Sequence, residues 1–175
     1  VNSGGDVAFK PDPLPPEISV EGELLDAFAM ATRDVGRLSE VGRRVDDPSV
    51  LVGPFVHREA VASSEIAGTE VTLADVYERE AGRAHGGDPS RNELTAVRNY
   101  VDAAVRGLEE IDGGLDLDLI RSLHGTLMSG LRGENRPGEL RDVQVYIGGR
   151  GSDARFVPPP PSIVPYAMRT LETYL

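Results

Sequence analysis

Over most of this chain hydrophobic positions return every three or four residues, the period of a helix with one buried face. Between Glu21 and Val45 they fall at Leu24, Leu25, Phe28, Val35, Leu38, Val41 and Val45. This predicts a first helix, ended or followed by Asp47-Pro48. A second is predicted from about Pro54 to Ala67, with Gly68 as its C-terminal stop. Thr72 is placed to cap a third, with Asp75 in its first turn and Val76 and Tyr77 beyond. Asp88-Pro89 marks a fourth start, a capping Asp followed by Pro at the first helical position. Leu94, Val97, Val101, Val105 and Leu108 make its apolar face, and Gly113-Gly114 ends it. A fifth helix starts at Asp116 or Asp118 and turns Leu119, Leu123, Leu127 and Leu131 inward.

The period then changes. Val143-Gln144-Val145-Tyr146-Ile147 is β-branched and alternating, which predicts a strand. Residues 148–153 form turns, and Arg155-Phe156-Val157 returns as a second strand. Pro158 to Pro161 stop the hairpin, since proline cannot donate to a ladder. Ser162 to Leu175 is again helical, with Met168, Leu171 and Leu175 on one face. This last helix has no stop signal, and the chain is expected to be one part of a longer protein. Residues Val1 to Pro16 are rich in Gly and Pro and are expected to lie as an extended arm. The fold class is all-α, a helical bundle with one β-hairpin. Three regions follow: an arm over 1–20, a helical region over 21–112 and a third region over 113–175.

Composition narrows the chemistry. Aromatics are 5% of the 175 residues and Trp is absent, so the core is built from Leu, Val, Ile and Ala. With 29 acidic against 18 basic residues the net charge is −11, which disfavours binding to nucleic acid or to an anionic membrane. Lys10 is the only lysine, which fits a high-salt cytoplasm or a GC-rich codon bias equally well. With no Cys there is no disulfide framework and no thiolate chemistry. No signal peptide or apolar membrane span is visible, and a cytoplasmic location is expected.

Of the three histidines, His57 and His85 read as surface residues and His124 as a packed, hydrogen-bonded one. Their spacing offers no metal motif, and no metal site is expected. Gly148-Gly149-Arg150-Gly151 lacks the Lys-Ser/Thr of a phosphate loop and leads into a strand rather than a helix. Glu109, Glu110 and Asp112 read as a solvated helix end.

Two distant stretches carry more specific information: Ser63-Ser64-Glu65-Ile66-Ala67-Gly68-Thr69, and Arg155-Phe156-Val157 with its four prolines. The first resembles the inhibitory helix of the Fic family, usually written S-x-x-x-E-G, and the second the flap that positions that family's target chain. Arg136-Pro137-Gly138-Glu139-Leu140-Arg141 resembles the family's G-x-x-R approach to the flap. Leu123-His124 with Leu127-Met128 resembles its L-H-x-x-L-M helix, and Val97-Arg98-Asn99-Tyr100 its V-x-N-Y helix. The resemblance runs from about Phe55 to Leu175, and the first fifty residues add little to it.

The resemblance implies a Fic-like bundle with the inhibitory helix over about 54–68 and the flap over about 143–157. It implies transfer of AMP from ATP, with Mg2+, to a Ser, Thr or Tyr hydroxyl of a target protein. Ser63, Ala67 and Gly68 would lie near ATP, and Ile147, Gly148, Gly149, Phe156 and Val157 would hold the target. Two departures matter. Ala67 stands where the family has the glutamate that blocks the γ-phosphate. It is either an introduced release or a natural residue in an enzyme controlled otherwise. The catalytic stretch H-P-F-x-D-G-N-G-R does not occur, so the chain carries no catalytic residue of its own. A homodimer is compatible with the helical faces. The rival expectation is a non-catalytic helical module that docks a partner through the hairpin edge or the proline run.

Overall fold

The computed structural model describes residues 2–3, 6–47, 49–66, 68–83, 91–133 and 136–175. Six helices dominate: α1 (Glu23–Gly42), α2 (Ser49–Ile66), α3 (Leu73–Glu80), α4 (Arg91–Glu110), α5 (Leu117–Leu127) and α6 (Val164–Tyr174). A two-residue antiparallel pair, β1 (Asn2–Ser3) with β2 (Asp6–Val7), precedes them.

Local chemistry fixes several boundaries. Thr72 accepts from the Asp75 backbone N–H at 3.2 Å, and the Asp75 carboxylate accepts from the Thr72 N–H at 2.7 Å. This reciprocal box satisfies two otherwise unpaired donors at the start of α3. The Thr72 hydroxyl also donates to the Asp75 carboxylate at 2.5 Å, and this bond first, then the one from Thr72 N–H, holds the Asp75 carboxyl below its usual range. Asp116 caps α5 by accepting from Leu119 N–H at 2.7 Å, and Glu172 on α6 accepts from Leu117 N–H at 2.8 Å. At the end of α2, Thr69 N–H donates to the Ser64 carbonyl at 3.0 Å and Gly68 N–H to Glu65 at 2.9 Å. These two bonds are the Schellman closure, which needs the φ of +88° that Gly68 supplies.

The core lies where α2, α3 and α4 meet. Ala60, Val61, Val71, Val76 and Val97 are buried, with Leu73, Leu94, Tyr100 and Val101 packed against them. Ala60 and Val97 have no exposed surface. Helix α5 lies along the other side of α4 and buries Leu119. A side chain at Gly107 of α4 would approach Leu123 at 3.3 Å, so this glycine allows the two helices to close.

Several expectations are corrected. Helix α2 starts at Ser49 rather than about Pro54, which sits inside the helix. Proline is favoured in a first turn, but α2 here gains a turn ahead of it. Helix α5 stops at Leu127, so Leu131 packs from the following loop. On α4, Val105 and Leu108 are 41% and 57% exposed, so only the first half of its predicted apolar face is covered. The expected hairpin is not formed as a ladder. Ile147 and Phe156 make one isolated antiparallel bridge, with a short 3-10 turn over Gly151–Asp153 inside the loop. The turn draws backbone groups to itself: Asp153 N–H donates to Arg150 and Ala154 N–H to Gly151. Those groups cannot extend a ladder. His57 is not a surface residue: half-buried within α2, it lies 5.4 Å from the Tyr77 ring, with Nδ1 2.9 Å from the Gly53 carbonyl oxygen. Pro48, Ala67, His85 and the predicted Asp88-Pro89 start lie outside the described residues.

Candidate functional site

Two places were marked by the sequence, the end of α2 and the loop around 143–157. At the first, Ser63 is half-buried and donates to the Glu59 carboxylate at 2.7 Å. The Tyr100 hydroxyl on α4 lies 3.4 Å from the same Ser63 oxygen. Ser64 is buried and Gly68 exposed. The last turns of α2 are therefore held at one side by α4 and open to solvent at their end. Ala67, between them in sequence, lies outside the described residues.

The second place is built by side chains that grip backbone. Gly138 is held twice: its N–H donates to His124 Nδ1 at 3.1 Å and its carbonyl accepts from Arg121 Nε at 2.8 Å. A Cβ at Gly138 would sit 3.1 Å from the Arg121 carbonyl oxygen, and φ is +78°, so glycine is required for this approach. Arg136 binds Glu139 and Asp142. The Asp142 hydrogen bond raises the Arg136 pKa, and Arg136 in turn holds the Asp142 carboxyl below its usual range. Arg141 donates to Val143 O at 3.0 Å and also to the Pro159 carbonyl. Partial burial lowers the Arg141 pKa, though an arginine stays charged. Gln144 donates to the Val145 and Pro158 carbonyls, each at 2.9 Å.

The proline segment is thus packed: Pro160 is buried and Pro158, Pro159 and Pro161 are half-buried. Ile147 and Phe156 remain 56% and 41% exposed at the bridge, and Gly148 and Gly149 are exposed beside them. Val157 is half-buried, and its carbonyl accepts from Phe9 N–H at 2.9 Å. The Phe9 and Phe156 rings lie 5.5 Å apart, and Ala8 is buried. At this point the N-terminal arm lies against one side of the loop.

The structure brings Ile147, Phe156 and Val157 together and places Ser63 against Tyr100. Among the described residues no hydrogen bond or ring contact joins the end of α2 to the loop. Sequence reasoning gave no role to Asn99, which is buried and donates to the Leu127 and Ser129 carbonyls at 3.0 and 2.7 Å. It closes the C-terminal end of α5 from α4. The V-x-N-Y resemblance was the signal: Val97 is core, Asn99 ties α5, and Tyr100 faces Ser63. The L-H and G-x-x-R matches likewise become His124 and Gly138, a paired hydrogen bond.

Fold and geometry define a helical bundle that presents a helix end and a braced loop. The family described as Fic/DOC family N-terminal matches residues 25–109, and the chain carries the N-terminal part of a Fic-family protein. The match takes in α1 through α4, so the first helix contributes more to the family likeness than its sequence suggested. No curated protein and no solved structure matches the chain. Among the described residues no helix is long and apolar enough to cross a membrane.

Proposed function

We propose that this chain is the regulatory and target-positioning part of a cytoplasmic Fic-type AMP transferase, with 21–112 as the regulatory region and 113–175 as the start of the core. The observation that supports this reading is Ser63, inside the family-matched segment, braced between Glu59 and Tyr100 at the open end of α2. In the proposed reaction a Ser, Thr or Tyr oxygen of the target attacks the α-phosphorus of ATP. The bond to diphosphate breaks, diphosphate leaves, and the hydroxyl proton passes to a base; Mg2+, when bound with ATP, would neutralise phosphate charge. Alanine at position 67 has no carboxylate to occupy the space of the γ-phosphate, so the block at the end of α2 is absent. Ile147, Gly148, Gly149, Phe156 and Val157 form the surface that holds the target chain, through the exposed side chains of Ile147 and Phe156, whose own backbone groups bond each other.

The loop at 147–156 does not fit a triphosphate cradle. The backbone N–H groups of Asp153, Ala154, Arg155 and Phe156 are spent on bonds inside the loop, so they form no anion nest. Base and phosphate cradle belong to the H-P-F-x-D-G-N-G-R stretch, which these 175 residues do not contain. This chain alone is therefore expected not to transfer AMP. The test is incubation of the full-length protein with labelled ATP and Mg2+, as it stands and as Ala67→Glu. Labelling suppressed by Ala67→Glu supports the reading; equal labelling of both forms removes the regulatory role of Ser63–Gly68. No labelling and no ATP binding would leave the partner-docking module. For that module the proline run is the weaker surface, since Arg141 and Gln144 already hold its carbonyls.

A further inference from the structure

The loop around 143–157 does little to hold itself. Ile147 N–H donates to Phe156 O at 3.0 Å and Phe156 N–H to Ile147 O at 3.1 Å, and among the described residues the bridge extends no further. A two-stranded pair is marginal in water, and a third extended segment or an apolar cover is what stabilises one. Arg141 and Gln144 hold the Pro159 and Pro158 carbonyls. They grip the base of the loop, not the bridge.

A third segment lies beside it. Backbone groups of successive residues in an extended strand point to opposite edges. Phe156 spends its N–H and C=O on Ile147, so Val157 turns its own outward, and the Val157 carbonyl accepts from Phe9 N–H at 2.9 Å. The Phe9 ring meets the Phe156 ring at 5.5 Å between centroids, tilted by 48°. Ala8 is 3% exposed between Val7 at 80% and Phe9 at 50%, so the arm is seated at one residue. Neighbouring sequence confines the contact to this point. Val7 already pairs with Asn2 in β2, and Pro11, Pro13, Pro15 and Pro16 carry no N–H, so pairing cannot run on along the arm.

We propose that Ala8–Phe9 is a strap that orders the loop, with Phe9 the positioning residue that fixes Phe156 and Val157. This rests on the reading of the loop as the target-holding surface. It adds to that surface an element from outside both the 113–175 region and the family-matched 25–109 segment. Phe9 supports the loop without covering it: with the arm in place Phe156 is still 41% exposed and Ile147 56%. The Val157 carbonyl is taken, so a target chain meets the loop through those two side chains and not by pairing at the Val157 edge.

Phe9→Ala removes the ring contact and leaves the backbone donor. In the full-length protein, amide hydrogen exchange at Ile147 and Phe156 is expected to quicken about threefold to tenfold, with the Val97 amide in α4 unchanged. Phe9→Tyr keeps the ring and is expected to exchange as the unsubstituted protein does. Unchanged exchange at Ile147 and Phe156, an equal rise at Val97, or Phe9→Tyr behaving as Phe9→Ala would each overturn the strap. Positioning is read with labelled ATP and Mg2+. Self-labelling by Phe9→Ala is expected to slow several-fold at an unchanged KM for ATP. Self-labelling at the original rate despite faster exchange would overturn the positioning role. An unsubstituted protein that labels nothing removes the transfer reading instead, and the exchange result then decides the strap on its own.

Discussion

Helices α1 and α4 are each 20 residues long, and each carries hydrophobic residues in steps of three and four. They end differently. Helix α4 is the spine of the molecule, touching α2 and α3 through Val97 and Val101 and gripping α5 through Asn99. Helix α1 buries nothing. An amphipathic stripe specifies that a helix forms once something covers it; it does not say what the cover is. What sets α4 apart is the set of surfaces that converge on it: a short α3 fixed by its capping box, an α2 closed by Gly68, and a glycine at 107 that allows α5 to approach.

The comparison is broken most directly in α4. Val97→Ala removes two methyl groups from a fully buried site and leaves a cavity between α2, α3 and α4. It is expected to cost about 2 kcal/mol, read as a lower urea midpoint at unchanged slope. Asn99→Ala follows. It leaves the Leu127 and Ser129 carbonyls without this donor, at about 1–3 kcal/mol, and hydrogen exchange at the end of α5 should accelerate more than elsewhere. Thr72→Ala breaks the box that seats α3 against α4 and should lower the melting temperature by a few degrees.

A smaller effect is expected in acid. The folded carboxyls of Asp75 and Asp142 have pKa values below the unfolded one, so folding favours their ionised forms. Their contribution is present above the unfolded carboxylate pKa of about 4 and is lost as pH falls through the folded values. The double change Asp75→Asn with Asp142→Asn should flatten the acid limb of a stability–pH curve. Smallest of all is Phe28→Ser on α1, which should leave the unfolding free energy of the monomer within about 0.5 kcal/mol. If Phe28→Ser cost as much as Val97→Ala, α1 would have a partner inside the monomer and the contrast would fail.

Much of the helical layout was legible because it rests on local chemistry. Thr72, Asp116 and Gly68 act within a turn of their own positions, and each sits where its side chain or φ made it useful. Misread elements were those whose outcome depends on residues far along the chain. The 143–157 stretch has strand composition, yet its backbone groups go to a 3-10 turn, to the Arg141 and Gln144 side chains and to Phe9 of the arm. Pro54 looked like a helix start because proline suits one, but the helix begins a turn earlier. Of the candidate site, the sequence marked Ser63 and Gly68 and the loop tip at Ile147 and Phe156. It did not reveal that Tyr100 lies beside Ser63, or that His124 and Arg121 clamp Gly138.

By itself, then, the sequence determined the helices, their caps and the family to which the 25–109 segment belongs, since caps, periodicity and family likeness are written in neighbouring residues. Only the tertiary structure decided which stripe becomes core, how the loop is held and which helix is left uncovered. Those outcomes depend on long-range approach, where one buried Asn or one Gly without a side chain decides whether two segments meet.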